Sequence, residues 1–157
     1  PNGVLSHESA FYVILSVIRL SGVVLLMSTP ITVFVVDSDE SVLRAMARLM
    51  KASGFNGVCL HSMEALMEQD LPSSNAVILL DVRTARQFAE TLQTPFLEGK
   101  LTLPVIYLAD CGSRHTQAEA RRVGAAGYYR KPIDEQALSD AIRFAVQPGA
   151  VCQFSNS

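Results

Sequence analysis

From residue 29 onward, short apolar runs alternate with stretches that have helical periodicity. The runs are rich in β-branched and aromatic residues, and they show no alternation of apolar and polar positions. Such runs are typical of strands that are buried on both faces of a sheet. The predicted strands cover residues 31–36, 57–60, 76–82, 103–109 and 127–130.

Amphipathic helices are predicted between these strands. The first apolar stripe, with the spacing of an α-helix, consists of Val42, Ala45, Met46, Leu49 and Met50. Gly54 follows at the place of a C-cap glycine. Further helices are predicted over residues 63–68 with Ser62 as the cap, and over residues 86–94, 117–124 and 135–146. Five successive β–α units predict an α/β fold, a doubly wound five-stranded parallel sheet with helices on both faces.

Residues 1–27 differ from the rest of the chain. The apolar run at residues 11–27 is short for a membrane span and carries Arg19 near its middle. It also lacks the basic start and the cleavage site of a signal peptide. We interpret residues 1–27 as an N-terminal extension foreign to the native protein, with a membrane or docking segment as the alternative. The domain then covers residues 28–147, and residues 148–157 form a flexible tail.

Composition and charge exclude several functional classes. The chain of 157 residues has a formal net charge of −2 and no block of basic residues, so neither nucleic acid nor an anionic membrane is an expected partner. Cys59, Cys111 and Cys152 are far apart and form no CxxC pair. This usage fits a reducing cytoplasm better than a disulfide framework.

Charged side chains stand at the ends of three predicted strands. Asp37 follows the first strand, Asp81 lies at the end of the third, and Lys131 follows the fifth. Ligands of open α/β sheets bind beyond the carboxyl ends of the strands, where two carboxylates and an ammonium could hold a hard cation and an anion. Structural roles are the alternatives: Asp81 could cap the strand end, Lys131 could be a solvated charge, and Asp37 could start a helix. Asp39 fits that last role better.

This ordered set resembles the CheY-like receiver domain of bacterial response regulators. The resemblance covers about residues 32–146 and includes "DESVLRAMARLMKASGF", "VILLDVR", "LPVIYLA" and "GAAGYYRKP" in receiver order. "DESV" and the "DVR" that contains Asp81 are similar to the FixJ-like branch. The resemblance implies the flavodoxin-like strand order 2-1-3-4-5.

The resemblance also implies the roles of individual residues. Asp81 matches the aspartate that accepts a phosphoryl group from a histidine kinase. Asp37, Asp81 and the backbone carbonyl of Arg83 match the ligands of Mg²⁺. Lys131 matches the lysine that contacts the phosphoryl oxygens, and its peptide bond to Pro132 is expected to be cis.

Three positions depart from the receiver pattern. Ser38 replaces the second acid of the metal site, which should weaken Mg²⁺ binding. Ala109 replaces a hydroxyl residue that bonds the phosphoryl group, so the link to Tyr128, the expected switch aromatic, is broken. Core packing is an equal alternative for Tyr128. After Asp81, the stretch "TARQFA" contains neither Pro nor Gly, so we expect the loop to become helical earlier.

The predicted function is that of a cytoplasmic receiver domain in a two-component phosphorelay, a signalling domain and not an enzyme. One alternative is a pseudo-receiver that acts as a phosphorylation-independent protein-interaction module. Another is a hydrolase or phosphatase with Asp81 as the nucleophile, although a nucleophile elbow and a Gly-rich phosphate loop are missing from the sequence.

The predicted partners are a sensor histidine kinase and either a second copy or an effector. The expected surface is formed by the fourth helix, the fifth strand and the fifth helix. It would present Arg121, Arg122, Tyr129 and Arg143. The chain is interpreted either as a stand-alone receiver or as a piece of a larger regulator.

Overall fold

The computed structural model describes residues 18–20, 23–25, 29–92, 101–110, 117–150 and 153–154. Its secondary structure within these ranges alternates between strands and helices from residue 32 onward. The elements are β1 (Ile18–Leu20), β2 (Val23–Leu25), β3 (Thr32–Val36), α1 (Glu40–Ala52), β4 (Asn56–Leu60), α2 (Met63–Met67), β5 (Ala76–Asp81), α3 (Val82–Leu92), β6 (Val105–Ala109), α4 (Gln117–Arg122), β7 (Gly127–Arg130), α5 (Glu135–Ala145) and β8 (Gln153–Phe154).

The main sheet is parallel and has the order β4-β3-β5-β6-β7-β8. Counted from β3, its first five strands follow the order 2-1-3-4-5, which confirms the predicted fold. The two-residue strand β8 extends the sheet beside β7 and was not predicted. A separate antiparallel pair joins β1 to β2.

The strands are covered on both faces, as predicted for a doubly wound sheet. One buried cluster combines alternate strand residues with α2, α3 and α4. It includes Phe34, Val36, Ile78, Leu80, Tyr107, Met63, Leu66, Ala85 and Ala120. The opposite cluster packs the intervening strand residues on α1 and α5. It includes Val33, Val35, Val77, Leu79, Ile106, Leu108, Leu43, Met50, Leu138 and Ile142.

Helix α1 starts at Glu40 because Asp39 is its N-cap and accepts hydrogen bonds from the N–H groups that follow. Gly54 has a φ of 77° just beyond its end, as expected for a C-cap glycine. The predicted apolar stripe was wrong in one member, because Leu43 is buried and Ala45 is exposed. Adjacent stripes of a helix share most members, and the larger Leu43 side chain gains more from burial.

Helix α3 begins at Val82, directly after β5, and not at residue 86 as predicted. The expectation that the stretch after Asp81 would be helical is therefore confirmed. The Asp81 carboxylate accepts the Thr84 N–H at 3.0 Å, which is the hydrogen bond of an N-cap residue. The predicted end of this helix, residues 93–94, lies outside the described residues.

Several sequence features fall wholly or partly outside the described ranges. These include Cys111, Cys152 and most of the apolar run at residues 11–27. Cys59 is a free, half-buried thiol. In the part of the chain that the structure describes, no helix combines the length and the apolar character needed to cross a bilayer.

Candidate functional site

The sheet brings Asp37, Asp81 and Lys131 to one edge. β3 and β5 are neighbours with Val36 beside Leu80, so Asp37 and Asp81 come together just after them. Lys131 follows β7 and reaches across β6, whose Ala109 carbonyl accepts the Lys131 backbone N–H at 2.7 Å. Its Nζ atom lies 2.8 Å from Asp37 Oδ2 and 2.9 Å from Asp81 Oδ1. The peptide bond that follows Lys131 is cis, as expected.

The three groups form a buried charge cluster. Asp37 and Asp81 are each 1% exposed, and a buried carboxylate is stable only when it is paired and hydrogen-bonded. Burial by itself lowers the pKa of Lys131, but its hydrogen bonds to both carboxylates and their negative charge outweigh this effect and raise the pKa above its usual range. The ammonium is therefore firmly protonated between two acids.

The Asp37 side chain is fixed by the turn that follows β3. Its Oδ1 accepts the Asp39 N–H at 2.9 Å, an Asx-type turn. Asp39 accepts the N–H and the hydroxyl of Ser41, and hydrogen bonding lowers the pKa of Asp39. Asp39 thus starts α1, whereas Asp37 faces Lys131.

The Asp81 side chain is held by Thr84, a residue that the sequence analysis missed. Oδ2 accepts both the Thr84 N–H at 3.0 Å and the Thr84 hydroxyl at 3.2 Å. The same hydroxyl accepts the Ser38 N–H at 3.2 Å. The sequence contained a sign of this contact. If the strand-end Asp81 is the N-cap of a helix, Thr84 is at position N3, and the side chain of an N-cap accepts the N–H of N3. The capping alternative for Asp81 is therefore realised, together with its contact to Lys131.

Other predicted site residues lie near the cluster without joining it. Arg83 is in the first turn of α3, where carbonyl groups point along the helix and accept N–H groups four residues ahead. Its guanidinium forms an ion pair with Asp110 at 3.1 Å. Ala109 is buried at the end of β6, and Tyr128 is 6% exposed within the core. The metal role of Arg83 and the switch roles of Ala109 and Tyr128 stay predictions.

The donor chemistry of the cluster fits a magnesium ion. Mg²⁺ binds through one or two carboxylates plus water and phosphate oxygens, and Asp37 and Asp81 offer two carboxylates side by side. Lys131 now bridges them, and Ser38 adds no charge. Among the described residues, no group of three His, Cys, Asp or Glu side chains is arranged to hold a metal ion. The site therefore offers less negative charge to a cation than one with a second acid at position 38.

The parallel order 2-1-3-4-5 and the strand-end cluster of two acids and one lysine define a receiver domain. The chain contains a CheY-like receiver domain of the kind found in two-component response regulators. No protein-family model matches the chain.

The curated relatives include response regulator proteins and transcriptional regulatory proteins. The transcriptional regulatory protein TdiR of Thauera aromatica is 30% identical over 115 residues, which are 73% of this chain and 51% of TdiR. Nodulation protein W of Bradyrhizobium diazoefficiens is 28% identical over 120 residues, 76% of this chain and 53% of that protein. FixJ of Rhizobium meliloti is 26% identical over 117 residues, 74% of this chain and 57% of FixJ. The chain spans about half the length of the curated relatives that it matches.

Solved structures show the same fold. The response regulator receiver protein from Burkholderia phymatum has a TM-score of 0.56 and 26% identity, with 75% of this chain and 98% of that chain covered. The response regulator StyR has a TM-score of 0.57 and 25% identity, with 76% and 60% covered. The match over nearly the whole Burkholderia chain places the similarity in the receiver domain itself.

Proposed function

We propose that this receiver domain accepts a phosphoryl group on Asp81 from a sensor histidine kinase. One observation carries the proposal: Lys131 Nζ lies within 2.9 Å of both Asp37 and Asp81 at the carboxyl edge of the sheet. A phosphoryl group that arrives at Asp81 adds negative charge to a buried carboxylate, and the Lys131 ammonium is already in place to offset that charge.

The transfer forms one bond and breaks one bond. One Asp81 carboxylate oxygen attacks the phosphorus of phosphohistidine in line, and a P–O bond forms as the P–N bond breaks. The electron pair of the broken bond stays with the imidazole, which takes a proton from solvent. The Lys131 ammonium, which contacts the Asp81 carboxylate before the transfer, contacts the phosphoryl oxygens after it. Magnesium, when it is held by Asp37 and Asp81, supplies further positive charge at those oxygens.

A small phosphodonor tests this proposal without knowledge of the kinase. We expect intact-mass measurement after incubation with acetyl phosphate and millimolar Mg²⁺ to show one added phosphoryl group on the wild-type chain. Asp81→Asn should abolish the label because the amide is not a nucleophile. Asp70→Asn is the control, since it removes an exposed carboxylate from the loop before β5, at the opposite end of the strand from Asp81, and should keep the label. Wild-type protein that gains no Asp81-dependent label would refute the proposal.

The pseudo-receiver is a second candidate, and Ser38 and Ala109 favour it. Ser38 supplies no carboxylate to the cluster, and the buried Ala109 methyl group cannot donate a hydrogen bond to a phosphoryl oxygen. Under this second proposal, the surfaces of the domain would stay the same whether or not Asp81 is modified. It would act as a protein-interaction module, and the failure of Asp81 labelling would favour it.

The partner surface is proposed on α4, β7 and α5. Arg121 and Arg122 are exposed on α4, and Tyr129 is half-buried on β7. Arg143 is exposed on α5, and its guanidinium also lies 5.0 Å from the centre of the Phe55 ring and donates to the Ser53 carbonyl at 3.3 Å. It therefore stabilises the contact between α5 and the end of α1.

The extent and location of the domain are also proposals. We infer that residues 28–147 are the receiver unit and that it works in the cytoplasm. Residues 1–27 are an extension, and residues 148–157 are a tail that adds the two-residue strand β8 to the edge of the sheet.

A further inference from the structure

The Thr84 hydroxyl connects the phosphoacceptor to the turn after β3. It donates to Asp81 Oδ2 at 3.2 Å and accepts the Ser38 N–H at 3.2 Å, and Thr84 is 5% exposed. We propose that Thr84 is a positioning residue that latches Asp81: the phosphoryl group is transferred to Asp81 Oδ2, and the transfer requires the Thr84 hydroxyl to release that oxygen. The inference rests on the proposed phosphoacceptor function.

The hydrogen bonds of Asp81 explain why the latch must open. An ionised carboxylate has about four lone-pair sites, shared between its two oxygens. The N–H and the hydroxyl of Thr84 both donate to Asp81 Oδ2, whereas Lys131 donates to Oδ1. An oxygen that attacks phosphorus needs a lone pair that no donor holds, so Oδ2 cannot attack while Thr84 makes both bonds. Lys131 can follow the charge onto the phosphoryl group because its stem is flexible. The Thr84 hydroxyl is fixed by α3 and by Ser38, so it opposes the attack.

Release of Thr84 also gives modification of Asp81 a structural consequence. Thr84 is in the first turn of α3, and Asp81 is the N-cap of that helix. A phosphoryl group on Oδ2 would remove the cap and break the bridge to Ser38. Ala109 has no hydroxyl that could relay the change to Tyr128. We therefore expect phosphorylation to change the structure at the start of α3.

Two substitutions separate the hydroxyl from the rest of the Thr84 side chain. Thr84→Val removes the hydroxyl and keeps the shape, whereas Thr84→Ser keeps the hydroxyl and loses a methyl group. We expect the Asp81-dependent labelling rate with acetyl phosphate to rise on the order of tenfold in Thr84→Val, since one hydrogen bond to a charged group is lost. Thr84→Ser should stay within about twofold of wild type on the same ground, because its hydrogen bond is kept.

Hydrogen–deuterium exchange supplies a readout that does not depend on phosphorylation. Without the Thr84 hydroxyl, the Ser38 amide loses its acceptor, so it should exchange faster in Thr84→Val than in Thr84→Ser. Urea unfolding shows whether Thr84→Val is folded. Thr84→Ala replaces it as the hydroxyl-free variant if it is not.

The possible outcomes distinguish the two proposals. Labelling that is as slow in Thr84→Val as in Thr84→Ser, or slower, overturns the latch while Asp81 stays the phosphoacceptor. Ser38 exchange that is equal in the two variants overturns the bridge on which the latch depends. Wild-type protein that is never labelled on Asp81 overturns the phosphoacceptor function first, and the latch with it.

Discussion

At the scale of single residues, the one positive charge of Lys131 offsets half of the buried negative charge of Asp37 and Asp81. Its ammonium serves two carboxylates that are each 1% exposed, and its own side chain is 19% exposed. Lys131→Met leaves both acids without their cation. We expect the free energy of unfolding at neutral pH to fall by about 3 kcal/mol, the cost of breaking a buried ion pair. Urea unfolding measures this loss, and Lys51→Met, a substitution at an exposed lysine, is the matched control.

The raised pKa of Lys131 determines how this loss varies with pH. Because the folded-state pKa lies above the unfolded one, the stabilisation is complete below the unfolded value and is lost as pH rises through the folded value. The difference in the free energy of unfolding between wild type and Lys131→Met should therefore begin to shrink above about pH 10.4, the usual lysine pKa. It should vanish once the pH exceeds the raised pKa of the folded state. Burial also raises the pKa of Tyr107, but this affects both proteins alike. If the difference in the free energy of unfolding stays constant in this pH range, Lys131 does not stabilise the fold through its ion pairs with Asp37 and Asp81.

The cluster itself could be predicted from the sequence, but its hydrogen bonds could not. Asp37, Asp81 and Lys131 follow buried strands, and the carboxyl ends of parallel strands meet at one edge. The Thr84 contact depends on the exact residue at which α3 starts, and apolar periodicity does not define that residue. A loop of a few residues after Asp81 would carry the Thr84 hydroxyl elsewhere.

At the scale of elements, Gly57 allows α1 to pack closely on β4. A Cβ atom at Gly57 would lie 2.8 Å from Met50 Cβ and 3.1 Å from Met50 Cγ. We expect Gly57→Ala to destabilise the domain by about 1–3 kcal/mol, because the helix must shift away from the strand. Thermal or urea unfolding measures the effect. Asn56→Ala, at the exposed neighbouring position, should change stability by less than about 0.5 kcal/mol.

The elements were predictable where apolar periodicity and capping residues agree. Ser62 caps α2 and Asp134 caps α5, and the helix after each begins within a residue of its predicted start. The start of α3 was missed because its cap, Asp81, is also the last residue of β5. β8 was missed because pairing of two residues with an edge strand leaves no periodic pattern.

At the scale of the whole molecule, the fold is conventional and the carboxyl edge is altered. Ser38 is exposed two residues after β3 and belongs to neither buried cluster, whereas Ala109, at the end of β6, is buried in the cluster that packs on α2, α3 and α4. A substitution at position 38 therefore changes charge and hydrogen bonding at the site without touching the packing of the helices. A substitution at position 109 adds a group to the core as well as to the site.

Restoring the two positions should restore two separate properties. Ser38→Asp adds a negative charge beside Asp37 and Asp81, so we expect Mg²⁺ affinity, measured by isothermal titration, to rise about tenfold or more. Ala109→Thr adds a hydroxyl but no charge, and it should leave that affinity within about twofold. Ala109→Thr, with or without Ser38→Asp, should show a change at Tyr128 in ring-labelled NMR spectra after incubation with acetyl phosphate, and chains that keep Ala109 should not. Ser41→Asp, which places the same charge on the exposed first turn of α1, is the control. If it raises Mg²⁺ affinity as much as Ser38→Asp does, the effect comes from net charge alone and position 38 has no special role.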